Sequence, residues 1–291
     1  MNGFRSEKLA IVGLGLMGGS LAMALRPYAD CIIGLDMNPS TRDYALNNGL
    51  IDVATDNLKS AVNEADTVIL AAPVGVILSL LEKQIGTYLR SNTLIVDIGS
   101  TKADICEALG KLPIGVQAIG GHPMTGKERS GIEESDASLY HSKPFVLCPT
   151  RRTTPATRLR ALSLVEALGA IPVEMDAIRH DRVVATISHV PYLLSVALMA
   201  TAQRQAEHDE GVWALAAGGF RDMTRLAGSD ITMMSDITST NRQAIAELLA
   251  HFRMHLALLE TMLISGDTAR LADALQPLRD ARLTWEKHYK K

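Results

Sequence analysis

The chain has 291 residues, 47% hydrophobic and 21% charged, with 22 Gly and 11 Pro. At roughly 150 residues per domain that length predicts two domains with their own cores, and the composition excludes a disordered or collagen-like chain. Lys and Arg number 29 against 32 Asp and Glu, a net charge of -3, so neither a nucleic acid nor an anionic membrane is expected as partner, and a small-molecule substrate is.

Residues 8–12 form a short apolar run that ends in Gly13-Leu14-Gly15-Leu16-Met17-Gly18-Gly19, and residues 20–25 then read as a helix. Further apolar runs at 31–35, 67–72 and 93–98 end in Asp36, at Ala72-Pro73, and in Asp97-Ile98-Gly99-Ser100. Helical stretches at 40–48, 58–65 and 75–85 separate them. Alternating strand and helix predicts a parallel sheet covered on both faces, with ligands at the carboxyl ends of the strands.

The spacing G-x-G-x-x-G at Gly13, Gly15 and Gly18 has a use in that setting. The first glycine permits a tight turn, the second lets backbone approach a pyrophosphate, and the third lets the helix pack close to the strand. Its place between a strand and a helix, with Asp36 at the next strand end, predicts dinucleotide binding rather than a plain turn. A carboxylate at Asp36 would accept from the ribose hydroxyls of NAD and repel the 2′-phosphate of NADP; otherwise Asp36 is a solvated strand end. Leu16, Met17, Ala72 and Pro73 flank the same corner and complete the candidate cofactor-binding set.

After a run at 115–119 comes the polar, glycine-rich segment 120–131, which is expected to be a loop at the mouth of the sheet. It carries His122 next to Pro123. A histidine held there is either a general base, since its ordinary pKa lies near neutrality, or a side chain that satisfies a turn.

Residues 153–168 read as a helix and 171–174 as a late strand; beyond Asp176 strand signals stop. Residues 178–202, 211–217, 240–264 and 268–289 have helical period, with Gly218-Gly219, Gly228 and Gly266 as breakers. The expected division is therefore 1–176 and 177–291. At 3.6 residues per turn, Asp181, Ala185, Ser188 and Tyr192 share a stripe that offers Ser188 and Tyr192 to a substrate. His189 lies beside it, as a satisfied core residue or a substrate contact. Pro191 is expected to bend the helix. Ile245, Leu248, Leu249, Phe252, Leu256, Leu259 and Leu263 form a broad apolar stripe that packs either within the chain or on a second copy.

Three cysteines, Cys31, Cys106 and Cys148, are odd in number and widely spread, which argues against disulfides or a zinc site and suits a reducing cytoplasm. No signal-peptide pattern opens the chain and no uninterrupted apolar run nears the ~18 residues of a membrane span. A soluble, cytoplasmic protein without a metal is expected.

Five blocks in order carry a resemblance: the glycine cluster through Ser20, Asp97-Ile98-Gly99-Ser100-Thr101-Lys102, Gly120-Gly121-His122-Pro123-Met124-x-Gly126-x-Glu128, Ile187-Ser188-His189-Val190-Pro191, and Gly219-Phe220-Arg221-Asp222-Met223-Thr224-Arg225. Together they resemble the prephenate/arogenate dehydrogenases of tyrosine biosynthesis. The resemblance implies an α/β Rossmann-type doubly wound parallel sheet followed by an all-helical C-terminal dimerisation domain, NAD as cofactor and a homodimer. It also implies that His122 is the base on the substrate's ring hydroxyl, that Ser100 helps hold that hydroxyl and His122, and that Arg225 takes the substrate carboxylate. Thr125, Glu128, Ser188, His189 and Tyr192 complete the candidate substrate-binding set. A salt bridge from Arg225 to Asp222, three residues earlier, is the structural reading of that arginine and is compatible with the functional one.

Tyr192 departs from several prephenate-preferring relatives, which place a second histidine there. Prephenate and arogenate differ by a keto group against an ammonium, which a carboxylate such as Glu128 would favour. The choice leans to prephenate with arogenate open. Rival readings are a hydroxyisobutyrate-type dehydrogenase, whose catalytic lysine has no counterpart in residues 187–198, and a non-catalytic NAD-binding sensor.

Overall fold

The computed structural model describes residues 3–83 and 85–289. Its centre is one eight-stranded sheet. The strands are β1 Ser6–Val12, β2 Ala29–Leu35, β3 Val53–Thr55, β4 Thr67–Leu70, β5 Leu94–Asp97, β6 Gln117–Pro123, β7 Pro144–Pro149 and β8 Ile171–Glu174, in spatial order β3-β2-β1-β4-β5-β6-β7-β8. Every neighbouring pair is parallel except β6 and β7.

The connections are α1 Leu16–Leu25, α2 Pro39–Asn47, α3 Leu58–Val62, α4 Val74–Lys83, α5 Ile85–Tyr88, α6 Ala103–Leu109 and α7 Pro155–Ala167. Central strands such as Thr67–Leu70 and Leu94–Asp97 are buried along their whole length, as both faces of a covered parallel sheet require. Two apolar clusters result: one joins Leu9, Ile11 and Val96 to Leu21, Tyr140 and Leu164, the other joins Ala10, Val68 and Ile95 to Ile77, Ile105 and Leu109. The order reverses between β1 and β4, which places the glycine turn after β1 at the switch point.

Four expectations need correction. Residues 120–123 are strand: Gly120, Gly121, His122 and Pro123 pair with Cys148, Leu147, Val146 and Phe145 of β7. Their glycines answer to packing, since a Cβ on Gly121 would sit 2.5 Å from the Asp97 carbonyl oxygen. β3 and β7 went unread because one has three residues and the other is bracketed by Pro144 and Pro149. Gly218-Gly219 begin a helix rather than break one.

The fourth concerns the helix after Asp176. Helix α8 (Ala177–Val184) passes through a π turn (Ala185–His189) into α9 (Val190–Ala206). Asp181, Ala185 and His189 point inward at four-residue steps while Ser188 is exposed, so the stripe drawn at 3.6 residues per turn is broken. Pro191 offers no N–H to the carbonyl four residues earlier, and the wider turn just ahead of it absorbs that loss.

Beyond it lie α10 Gly211–Ala214, α11 Gly218–Thr224, α12 Ile231–Thr240, α13 Arg242–Ser265 and α14 Thr268–Tyr289. The chain forms two compact units, one running to Arg242 and one from Gln243 onward. In the second, Gly266 turns α13 into α14 with φ +67°, and Phe252, Leu256 and Leu263 of the apolar stripe stay exposed.

By length and composition, residues 177–206 and 242–265 are long and apolar enough to cross a membrane, although neither is an uninterrupted apolar run. The first of these carries His180, Asp181 and His189, all buried and hydrogen-bonded on its inward face.

Candidate active site

The glycine turn makes the first corner. Gly13 has φ +96°, and a Cβ there would meet the Ala71 carbonyl oxygen at 2.3 Å. At Gly18 a Cβ would fall 1.8 Å from the Gly13 carbonyl oxygen, so strand, turn and helix interlock without side chains. Gly15 differs: nothing lies within 4 Å of its Cβ position. It is also the N-cap of α1, and no side chain caps that end. Open space over uncapped helix N–H groups fits a pyrophosphate.

Asp36, at the end of β2, accepts from Leu14 N at 2.9 Å and from Asn38 N at 2.9 Å, which fixes a carboxylate beside the turn. Leu16 and Met17 anchor α1 from below: the Leu16 carbonyl accepts from Ser20 Oγ and the Met17 carbonyl from the buried Tyr140 hydroxyl, each at 2.7 Å. Ala72 and Pro73 follow β4, next to Ala71 against Gly13.

The second corner lies at the ends of β5 and β6. Asp97 closes β5, fully buried, and forms an ion pair with the equally buried Lys102. Asp97 Oδ2 accepts from Gly99 N at 2.9 Å and Oδ1 from Gly121 N at 3.2 Å. The backbone that carries Ser100 and the strand that carries His122 are therefore tied to one carboxylate.

His122 is partly buried, and its Nδ1 lies 2.8 Å from Nε2 of His180 on α8. His180 Nδ1 in turn lies 2.8 Å from Asp181 Oδ1. Asp181 accepts from Lys102 N at 2.7 Å and Ala103 N at 2.8 Å, at the start of α6. Asn241 Nδ2 donates to the Asp181 carbonyl at 2.7 Å and lies 3.1 Å from His189 Nδ1. Among the described residues no hydrogen bond joins Ser100 to His122. Burial foremost, then the neighbouring His180, Lys102 and His189, hold the His122 pKa well below the ordinary 6.5. Burial likewise brings His189 down to about 4.

Arg225 lies in the turn after α11, and its Nη1 is 3.2 Å from Glu128 Oε1. Glu128, not Asp222, is its partner, because Arg225 falls in a tighter 3-10 turn (Arg225–Gly228) outside the helix that carries Asp222. Thr125 Oγ1 donates to the Leu139 carbonyl at 3.1 Å. Tyr192 is partly buried and Ser188 exposed.

The chain as a whole is similar to known proteins. A family description reading "Prephenate dehydrogenase, nucleotide-binding domain" matches residues 21–173, and "Prephenate dehydrogenase, dimerization domain" matches residues 176–277. The chain belongs to the prephenate dehydrogenase family. It is 35% identical over 288 residues to the prephenate dehydrogenase of Lactococcus lactis subsp. cremoris, spanning 97% of this chain and 78% of that one. Prephenate dehydrogenase from Aquifex aeolicus, solved with hydroxyphenyl propionate and NAD+, superposes with a TM-score of 0.87 at 29% identity, over 96% of this chain and 98% of that one. Synechocystis arogenate dehydrogenase gives a TM-score of 0.82 at 31% identity, over 96% and 99%.

Within this family member the structure brings His122 together with two residues that the sequence reading left without a role. His180 was not singled out, and Asp181 was read only as part of a polar stripe. The available signal was their adjacency, His180-Asp181, on an otherwise apolar inward face.

Proposed function

We propose that the protein is an NAD-dependent dehydrogenase that oxidises and decarboxylates prephenate to 4-hydroxyphenylpyruvate in tyrosine biosynthesis. The observation that carries the reading, within the family, is His122 on a rigid strand with one ring nitrogen engaged by His180 and the other without a hydrogen bond among the described residues. Low basicity keeps that ring neutral near pH 7, as a base must be. Gly15, Gly18 and the first turn of α1 would hold the pyrophosphate, and Asp36 the adenosine ribose. When bound, NAD accepts the hydride that leaves the hydroxyl-bearing ring carbon.

His122 takes the hydroxyl proton as that carbon is oxidised, and loss of CO₂ aromatises the ring, which makes the step effectively irreversible. The chain's main work is thus alignment. Ser100 is proposed to steady the substrate hydroxyl, and Arg225 to exchange Glu128 for the substrate carboxylate, a planar fork suited to that group. Thr125, Ser188 and Tyr192 are proposed as further substrate contacts; for His189, burial and its contact with Asn241 favour a supporting role.

The second reading is arogenate as substrate. It is favoured by Tyr192 in place of a second histidine and by the Glu128 carboxylate, which would be freed to meet an ammonium. We further propose that residues 1–176 bind the nucleotide, that residues 177–291 bind substrate and dimerise, and that the exposed stripe of α13 packs on a second copy of a soluble, cytoplasmic enzyme. Initial rates of NAD reduction with prephenate and arogenate side by side test the reading. If neither substrate yields NADH while NAD still binds, the sensor alternative replaces it.

A further inference from the structure

The tautomers in the buried chain His122, His180, Asp181 follow from its far end. The Asp181 carboxylate accepts the Lys102 and Ala103 backbone N–H groups and can only accept from the ring beside it. His180 therefore donates from Nδ1 and presents a lone pair at Nε2. Across the 2.8 Å contact His122 must then donate from Nδ1, which leaves the lone pair on its own Nε2. We propose that His180 and Asp181 are positioning residues for the reaction, fixing the His122 tautomer and taking over the positive charge that forms when His122 accepts the substrate proton. The inference rests on the reading of His122 as the base.

The charge balance gives the reason for such a device. The buried Lys102 ammonium disfavours a positive charge on the His122 ring, and the Asp97 carboxylate is already engaged by Lys102. A proton arriving at His122 Nε2 can be answered by movement of the Nδ1 proton to His180 Nε2. No electrons are exchanged, one proton has entered the pair, and the imidazolium then sits beside the Asp181 carboxylate. That carboxylate is pinned by two backbone N–H groups, and Asn241 holds the Asp181 carbonyl, so no reorganisation is needed as the charge develops.

Three single substitutions and one double variant separate the possibilities. Asp181→Asn removes the negative charge beside His180 and sets an amide N–H against one of the two backbone N–H groups that now pin the carboxylate, so kcat is expected to fall about 10²–10⁴-fold, as when a buried orienting carboxylate is lost from a histidine base. The KM for prephenate and the NAD dissociation constant stay near the parent values. The residual acid limb of kcat moves to lower pH, because the group that favours the protonated pair is gone. His180→Gln keeps an acceptor towards His122 but cannot carry the proton, and is expected to lose about 10²-fold in kcat; it carries the test should Asp181→Asn not fold. Combined with His122→Asn, His180→Gln should cost nothing more, since it acts only through that ring.

If both single variants turn over like the parent with an unmoved acid limb while His122→Asn is inactive, the relay is overturned and the base stands. If His122→Asn itself turns over normally, the base reading falls, and the relay with it.

Discussion

Arg225 and Glu128 stand 97 positions apart in the chain and meet at 3.2 Å, with both side chains more than half exposed. A pair this exposed contributes little to stability, so a substrate carboxylate can replace Glu128 at small cost. Arg225→Gln is expected to raise KM for prephenate by up to about 3 kcal/mol of lost charged hydrogen bonding, with kcat changed much less. Glu128→Gln removes the competitor and should leave KM equal or lower with prephenate. Steady-state kinetics of the two variants check this; an unchanged KM in Arg225→Gln would return the arginine to a structural role.

The pH dependence of turnover has a definite sign. His122 acts as a base only when neutral, and burial foremost, with the neighbouring His180, Lys102 and His189, favours the neutral form, moving its pKa well below 6.5. Activity is therefore expected to persist as pH falls through 6.5 and to decline with a one-proton acid limb only below it. A kcat/KM profile whose acid limb sits at 6.5 or above would contradict the environment described for this ring.

His189 gives a pH effect on stability instead. Its pKa is about 4 in the fold against 6.5 unperturbed, so between those values the unfolded chain binds a proton that the folded one does not. Its contribution is fully present above the unperturbed pKa and is lost as pH falls towards the folded one, about 3 kcal/mol across the window at ~1.4 kcal/mol per pKa unit. Urea unfolding at neutral and mildly acid pH should show a steeper loss for the parent than for His189→Gln. Parallel losses would mean that the buried ring titrates as if it were in water.

Lys102 and Asp97 form the one ion pair among the described residues with both side chains at 0% exposure. Removing one partner leaves an uncompensated buried charge, so Lys102→Met is expected to cost about 3–5 kcal/mol in unfolding free energy. Asp97→Asn in the same chain should restore part of that, because a neutral pair no longer needs a counter-charge. Denaturant melts of the single and double variants measure it, and additive losses would speak against coupling.

Much of the sheet was readable because its strands are short apolar runs ending in Gly, Asp or Pro, which is how β1, β4 and β5 were placed. The sequence did not display what depends on distant partners. Gly120 to Pro123 look like loop residues and are strand because β7 pairs with them. Arg225 finds Glu128 rather than Asp222 because the helix tightens before it. The π turn at Ala185–His189 shifts the inward face from Ser188 to His189, which a uniform 3.6-residue period cannot anticipate. His180 stayed hidden for the same reason: its importance lies in a 2.8 Å contact with a residue 58 positions away.

The glycine turn separates fold from cofactor in one experiment. Gly18→Ala drives a Cβ to 1.8 Å from the Gly13 carbonyl oxygen, whereas Gly15→Ala meets nothing within 4 Å. The first should destabilise the fold by ~3 kcal/mol or more, as overpacking against rigid backbone does. The second should melt like the parent, because Gly15 already has extended backbone geometry at φ -64° that alanine adopts freely. Its added methyl would stand where the pyrophosphate approaches, and NAD affinity should drop about tenfold or more, ~1.4 kcal/mol. Thermal melts and NAD titrations of both variants check the contrast. Unchanged NAD affinity in a well-folded Gly15→Ala would move the pyrophosphate away from the start of α1.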